Sequence, residues 1–213
     1  QFAAIEQPVW AGLIARYCLN RGYSVEILDA EAVGMCVEDA AIEIMSRNPR
    51  LAVFCIYGHQ PSASTQCLPA ASAVARLIKE SKSEIATLAL GTHMSALPEK
   101  TLLEEPFDYV CQGEGPKTVE ELLRRIGTVC TIPGLWKRGT ANPPSASNIQ
   151  DLDRELPNQS WELLDMKQYR PHHWHKWMGD PNGGYAAVQT SLGCPFKCLH
   201  GDTPINTIYG LIP

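Results

Sequence analysis

Apolar positions follow two rhythms along the first half of the chain. Residues 8–21 (PVWAGLIARYCLNR) place them at helical spacing, and Gly22 follows as a C-terminal stop. Residues 24–28 (SVEIL) predict a short strand ending at Asp29. Residues 37–47 (VEDAAIEIMSR) predict a second amphipathic helix, halted before Pro49. Residues 51–57 (LAVFCIY) form an unbroken apolar run of strand length, the pattern of a strand buried on both faces. A third helix is expected over 66–81, with Pro69 near its first turn. A strand at 85–90 (IATLAL), a short helix at 97–105 and a strand at 107–111 (FDYVC) come next. The last helix of this half, 117–126, carries acidic residues early and basic residues late, as the helix dipole favours.

Strands alternating with helices through short loops predict an α/β fold, a doubly wound parallel sheet with helices on both sides. The chain opens on a helix, so the domain's first strand is expected upstream of Gln1. Residues 128–138 (TVCTIPGLWKR) predict an edge hairpin that closes a first domain of residues 1–138. Residues 139–184 read as a linker or a surface-hugging excursion, because Pro143, Pro144, Pro157 and many Ser, Asn and Asp break any period. Its later part holds His172, His173 and His175 beside Trp174 and Trp177, read as aromatics packed on the domain rather than as a metal patch. A strand at 185–191 (YAAVQTS) then opens a second unit, 185–213.

Composition narrows the classes. The chain has 213 residues, 45% hydrophobic and 19% charged, which excludes a disordered chain and allows one to two domains. A net charge of -5 gives no electrostatic pull toward nucleic acid or an anionic membrane, so neither is an expected partner. No apolar run approaches the roughly 18 residues of a membrane span. Six of the eight cysteines are scattered singly, as free thiols of a reducing compartment are, and no secretory leader is legible; both predict a cytoplasmic protein.

Candidate chemistry gathers at the strand ends, where parallel α/β sheets bind ligands. The first predicted turn holds Tyr57, Gly58, His59, Ser62, Ser64 and Thr65; the second holds Gly91, Thr92, His93 and Ser95; the third holds Gln112, Gly113, Glu114 and Gly115. Glycine lets backbone approach a ligand, and Ser and Thr offer short donors and acceptors. The three turns can line one crevice for a large, flat, polar-edged ligand, or can simply satisfy loop geometry and helix caps. None matches GxGxxG or GxxxxGK[ST], which argues against those nucleotide folds. His59 and His93 are read as ligand-edge contacts rather than metal ligands. Glu114 is read as a helix cap or a partner for ligand amides, and Trp10 as core.

Cys194 and Cys198 stand apart from the other thiols, in the loop Gly193-Cys194-Pro195-Phe196-Lys197-Cys198 after the last predicted strand. Thiolates at this spacing can reach one iron–sulfur cluster, though two cannot hold a cubane. Incidental thiols or half of a zinc site are the alternatives.

The string Ser191-Leu192-Gly193-Cys194-Pro195-Phe196-Lys197-Cys198 resembles the opening of the radical S-adenosylmethionine (SAM) enzymes, whose motif is Cys-x3-Cys-x2-Cys. The upstream half resembles the cobalamin-binding domain of the cobalamin-dependent radical SAM family. The likeness is carried in order by 21–30 (RGYSVEILDA), 91–99 (GTHMSALPE), 109–115 (YVCQGEG), 132–135 (IPGL) and 151–153 (DLD). It implies cobalamin cradled by the three turns, and Cys194 and Cys198 as ligands of a [4Fe-4S] cluster that binds SAM. It also implies methyl transfer or related radical chemistry on an unknown small-molecule substrate. The third cysteine of the motif falls at Gly201, and nearly all of the barrel is missing, so this portion alone is expected to be inactive. The alternative is a non-catalytic cobalamin or small-ligand binding module with a vestigial cysteine loop.

Overall fold

Four strands make one sheet in the order β1-β2-β3-β4: β1 Leu51–Cys55, β2 Ala86–Leu90, β3 Tyr109–Cys111 and β4 Leu135–Lys137. The first three run parallel and β4 is antiparallel to β3. The expected doubly wound α/β architecture is therefore present. The structure is a computed structural model that describes residues 4–58, 61–128, 130–139, 142–170, 185–188 and 190.

Alternation along the strands sorts side chains between two helical layers, since successive strand residues point to opposite faces. Leu88, Leu90 and Cys111 pack with Ile14 and Cys18 of α1 (Val9–Leu19) and Val119 and Leu122 of α6 (Pro116–Arg125). Ala89 and Val110 point the other way. They meet Leu68 and Ala75 of α3 (Pro61–Glu80), Met94 of α4 (Thr92–Ala96) and Leu102 of α5 (Pro98–Glu104). Ala40 and Ala41 of α2 (Val37–Arg47) pack against Val74 and Ile78 of α3. Each fully buried Leu, Ile or Val here stabilises by about 1.5–3 kcal/mol. β2 lies between two parallel neighbours, and Thr87, Leu88, Ala89 and Leu90 are all fully buried.

The structure corrects several element expectations. Residues 24–28 form no strand, although Tyr23 and Val25 pack on the α1–α6 core; the segment has no ladder partner among the described residues, and alternation without a hydrogen-bonded neighbour is not a sheet. Helix α3 begins at Pro61, five residues before 66, because proline suits the first helical turn. Pro69 consequently lies inside the helix, where it cannot donate to the Thr65 carbonyl. Residues 92–96, expected as loop, form α4. The expected edge hairpin contributes the single strand β4. Residues 185–188, expected as part of a strand, carry none.

Residues 142–170 hug the domain as a strap. After α7 (Leu152–Glu155), Leu156 is buried against Leu13 and Tyr17 of α1. Ser160 N–H donates to the Gly12 carbonyl at 3.2 Å, and Arg16 pairs with Glu162. At its far end, residue 170 bridges antiparallel to residue 5. Among the described residues no helix is long and apolar enough to cross a membrane.

Candidate functional site

The carboxyl ends of β1, β2 and β3 are drawn together by a few polar side chains. Ser64 Oγ donates to the Ile56 carbonyl at 2.5 Å and accepts from His93 N–H at 3.2 Å. Thr65 Oγ1 and His93 Nδ1 are 2.9 Å apart, joining α3 to α4. Ser95 Oγ accepts from Gly113 N–H at 3.0 Å, and Gln112 Nε2 donates to the Ser95 carbonyl at 3.2 Å. Gln112 Oε1 accepts from Trp136 Nε1 at 3.0 Å. Gly91 permits the closest approach: at φ +149, a Cβ there would lie 2.0 Å from the Ile56 carbonyl oxygen.

These contacts divide the predicted residues into two groups. Gly58 and Thr65 are exposed; Tyr57, His93 and Gln112 are half-buried. Ser64, Gly91, Thr92, Ser95, Gly113, Glu114 and Gly115 are buried, and the side chains of Ser64 and Ser95 bind neighbouring turns to one another. Burial holds the His93 imidazole below its ordinary pKa, so it is neutral at pH 7. Ser62 stands in the first turn of α3, its side chain outside the description. His59, Cys194, Cys198 and Gly201 lie outside the described residues, as do His172, His173, His175, Trp174 and Trp177. Among the described residues no cluster of His, Cys, Asp and Glu fit for a metal ion occurs.

The strap covers the third turn. Ala146 lies over two glycines: a Cβ on Gly113 (φ +109) or on Gly134 (φ +73) would approach its Cβ to 2.8 or 2.6 Å. Gly134 N–H donates to the Pro144 carbonyl at 2.8 Å, Lys117 Nζ to the Asn148 carbonyl at 2.7 Å, and Ile149 N–H to Glu114 Oε2 at 2.6 Å. Glu114 is 2% exposed, and burial pushes its carboxyl up to about 7 against the opposing pull of the Ile149 N–H and Lys117. Glu155, paired to Lys117 at 3.0 Å, moves the opposite way. Burial works against its ionised form, but Gln150 N–H, Lys117 and Asp151 N–H outweigh it and hold its carboxyl below the usual range.

Beyond the predicted residues, the structure brings further groups together. Trp10, in the first turn of α1, stacks on Tyr57 with ring centroids 5.1 Å apart and planes 15° from parallel. Such a pair contributes about 0.5–1.5 kcal/mol beyond the area buried. Gln7 Nε2 donates to Gln159 Oε1 at 3.1 Å, and both amides donate to the Ala187 carbonyl. No local signal identifies these contacts, because Gln7 and Gln159 are 152 positions apart. A cavity of 380 Å³ lined by Lys79, Asp108, Tyr109 and Lys137 lies at the opposite end of the sheet, where ligands of such folds do not bind.

A family model described as the B12 binding domain matches residues 1–123, a stretch that includes all three parallel strands and their turns. An uncharacterized methyltransferase of Pyrococcus horikoshii is 29% identical over 184 residues, covering 83% of this chain. The chain spans 36% of that relative's length. Among solved structures, the cobalamin-dependent S-adenosylmethionine radical enzyme OxsB, with aqua-cobalamin and S-adenosylmethionine bound, matches with a TM-score of 0.60 at 14% identity. That match covers 75% of this chain and 22% of OxsB, and at this identity it establishes likeness of fold.

Proposed function

The chain belongs to the B12-binding domain family, and on that premise we propose that it seats cobalamin on the rim formed by the ends of β1, β2 and β3. The observation that carries the reading is the closure of the first two turns into one ledge through Ser64, Thr65 and His93. The residues fit the group. A corrin presents a ring of carboxamides, and the ledge offers it the Thr65 hydroxyl, the neutral His93 imidazole and the exposed backbone of Gly58. When bound, cobalamin supplies the cobalt–carbon chemistry, and the protein's part is to hold and orient it. Ser64, buried beneath, keeps the two turns in register for that task.

In the longer protein we place a radical SAM module after this domain, with Cys194 and Cys198 toward a [4Fe-4S] cluster and SAM, and with methyl transfer as the reaction class. The cysteine loop and the methyltransferase relative support this assignment. The proposed partners are small molecules, the cofactors and a substrate, in the cytoplasm; the acidic balance supports no nucleic acid or membrane partner. Gly201, at the third cysteine position, favours a second reading, a cobalamin-binding module without a cluster.

Hydroxocobalamin added to the purified chain, followed by desalting, tests the first claim: retained corrin absorbance is expected, and a colourless protein would overturn it. Iron and sulfide content after anaerobic reconstitution separates the two readings. Iron held only by Gly201→Cys assigns the cluster loop to the parent architecture and leaves this chain a cobalamin module.

A further inference from the structure

We propose that residues 144–149 form a proton-linked cover over the third rim turn, latched by the Glu114 carboxyl group and opening as pH rises. Among the described residues three polar contacts hold the cover: Pro144 to Gly134, Asn148 to Lys117 and Ile149 to Glu114. Its apolar anchorage is confined to one end, where the half-buried Ile149 packs on the cluster of Leu13, Tyr17 and Leu156. Pro144, Ser145 and Ser147 are exposed, and Ala146 is only half-buried. A segment with few buried apolar contacts belongs to the low-stability end of a fold and opens without global unfolding.

The latch differs from the other two contacts because its acceptor is ionisable and buried. With the cover closed, Glu114 is 2% exposed and, among the described residues, accepts one N–H, that of Ile149. The charged groups around it are Lys117 of α6 and Glu155 of α7, already paired with each other. Helix α1 contributes the apolar Ile14, which meets Gly115. With the cover lifted, the carboxyl regains water. The closed form therefore binds the proton more tightly, and its carboxyl titrates at about 7 instead of in the ordinary range.

The direction follows by linkage. Closure is strongest when both forms are protonated, weakens as pH rises between the ordinary carboxylate pKa and about 7, and levels off above. Within that window one proton is released on opening, so the closed-to-open ratio falls by up to about tenfold per pH unit. Glu155, held below its usual range, stays ionised throughout and adds no slope. Opening uncovers the backbone of Gly113, which a corrin edge can then reach; this consequence rests on the cobalamin reading, whereas the cover itself does not.

Hydrogen exchange of the full chain between about pH 5 and about pH 8 tests the proposal, with rates corrected for intrinsic exchange. Protection at Gly134, whose N–H bonds the cover, and at Ile149 should fall by up to about tenfold per unit toward pH 7 and then level, while Leu88 and Leu90 in β2 report that the fold is intact. Glu114→Gln should abolish the slope. Ala146→Lys, which props the cover off Gly113, should remove protection at every pH. Flat protection in the wild type, or an unchanged slope in Glu114→Gln, overturns the cover. Failure to retain hydroxocobalamin at either end of the range while the slope persists overturns the cobalamin reading alone.

Discussion

The Tyr169 hydroxyl donates to Asp29 Oδ2 at 3.0 Å, joining residues 140 positions apart. Tyr169 is 4% exposed, and burial together with the Asp29 carboxylate pushes its phenol far up, so it remains a donor at any working pH. Asp29 uses its other oxygen to accept from Ala32 N–H at 3.1 Å. The pair pins the end of the strap to the turn that follows residues 24–28.

Tyr169→Phe removes that bond and leaves a carboxylate oxygen without its donor. A hydrogen bond to a charged acceptor contributes about 1.5–3 kcal/mol, so a fall in Tm of several degrees is expected. Thermal unfolding followed by circular dichroism checks this; a change under about 1 °C would show that the strap end is not fastened there.

Gly91→Ala should be among the most damaging single changes. Any Cβ meets the Ile56 carbonyl at 2.0 Å, and the φ of +149 disfavours every L side chain. Separation of the β1 and β2 ends is expected, with a loss of more than about 3 kcal/mol. Soluble yield and a denaturant midpoint would measure it, and wild-type values for both would contradict the close approach.

His93→Gln and Thr65→Val lie on the exposed side of the ledge and should lower hydroxocobalamin retention several-fold while changing Tm little. Burial holds His93 below its ordinary pKa, so charging it in the fold is penalised. Wild-type stability should accordingly fall as pH drops through and below about 6.5, and His93→Gln should flatten that acid limb. Denaturant titrations over that range supply the comparison.

Glu114→Gln should raise global stability on the alkaline side. The buried carboxyl titrates at about 7, so folding is penalised as pH rises toward that value. The variant and the wild type should melt alike near pH 4, below the ordinary carboxylate pKa, and the variant should be more stable by about 1–3 kcal/mol near pH 8. Equal melting at both pH values would mean that water reaches the carboxyl in the closed state.

Cys18 and Cys111 are buried, and burial pushes both thiols up to about 12, which leaves almost no thiolate. Iodoacetamide at neutral pH should label the exposed Cys36, Cys67 and Cys130 and spare this pair until denaturant is added. Peptide mass spectrometry reads the pattern directly.

Helices α1, α2, α5 and α6 and strands β1 and β2 were legible within a few residues of their bounds, because each is written by local apolar spacing and local stops such as Gly22 and Pro49. Ser64, His93 and Ser95 were legible as rim residues for a related reason: strand ends in a parallel sheet carry glycine and short hydroxyls. Local pattern could not say that Ser64 would bind two turns together while Thr65 faces outward, since one residue decides which side of α3 each occupies. Nor could it distinguish the alternation at 24–28 from a true strand, which exists only when a partner supplies the ladder.

By itself, then, the sequence determined the α/β alternation, the location of the rim and the residue types gathered there, all properties of short stretches of chain. The tertiary structure alone decided that the proline-rich segment lies across Gly113, that Glu114 is buried against Ile149, and that Tyr169 reaches Asp29. Those are encounters between residues far apart in the chain, where a hydrogen bond must offset the cost of taking its polar partners out of water, and no local pattern encodes which residues meet.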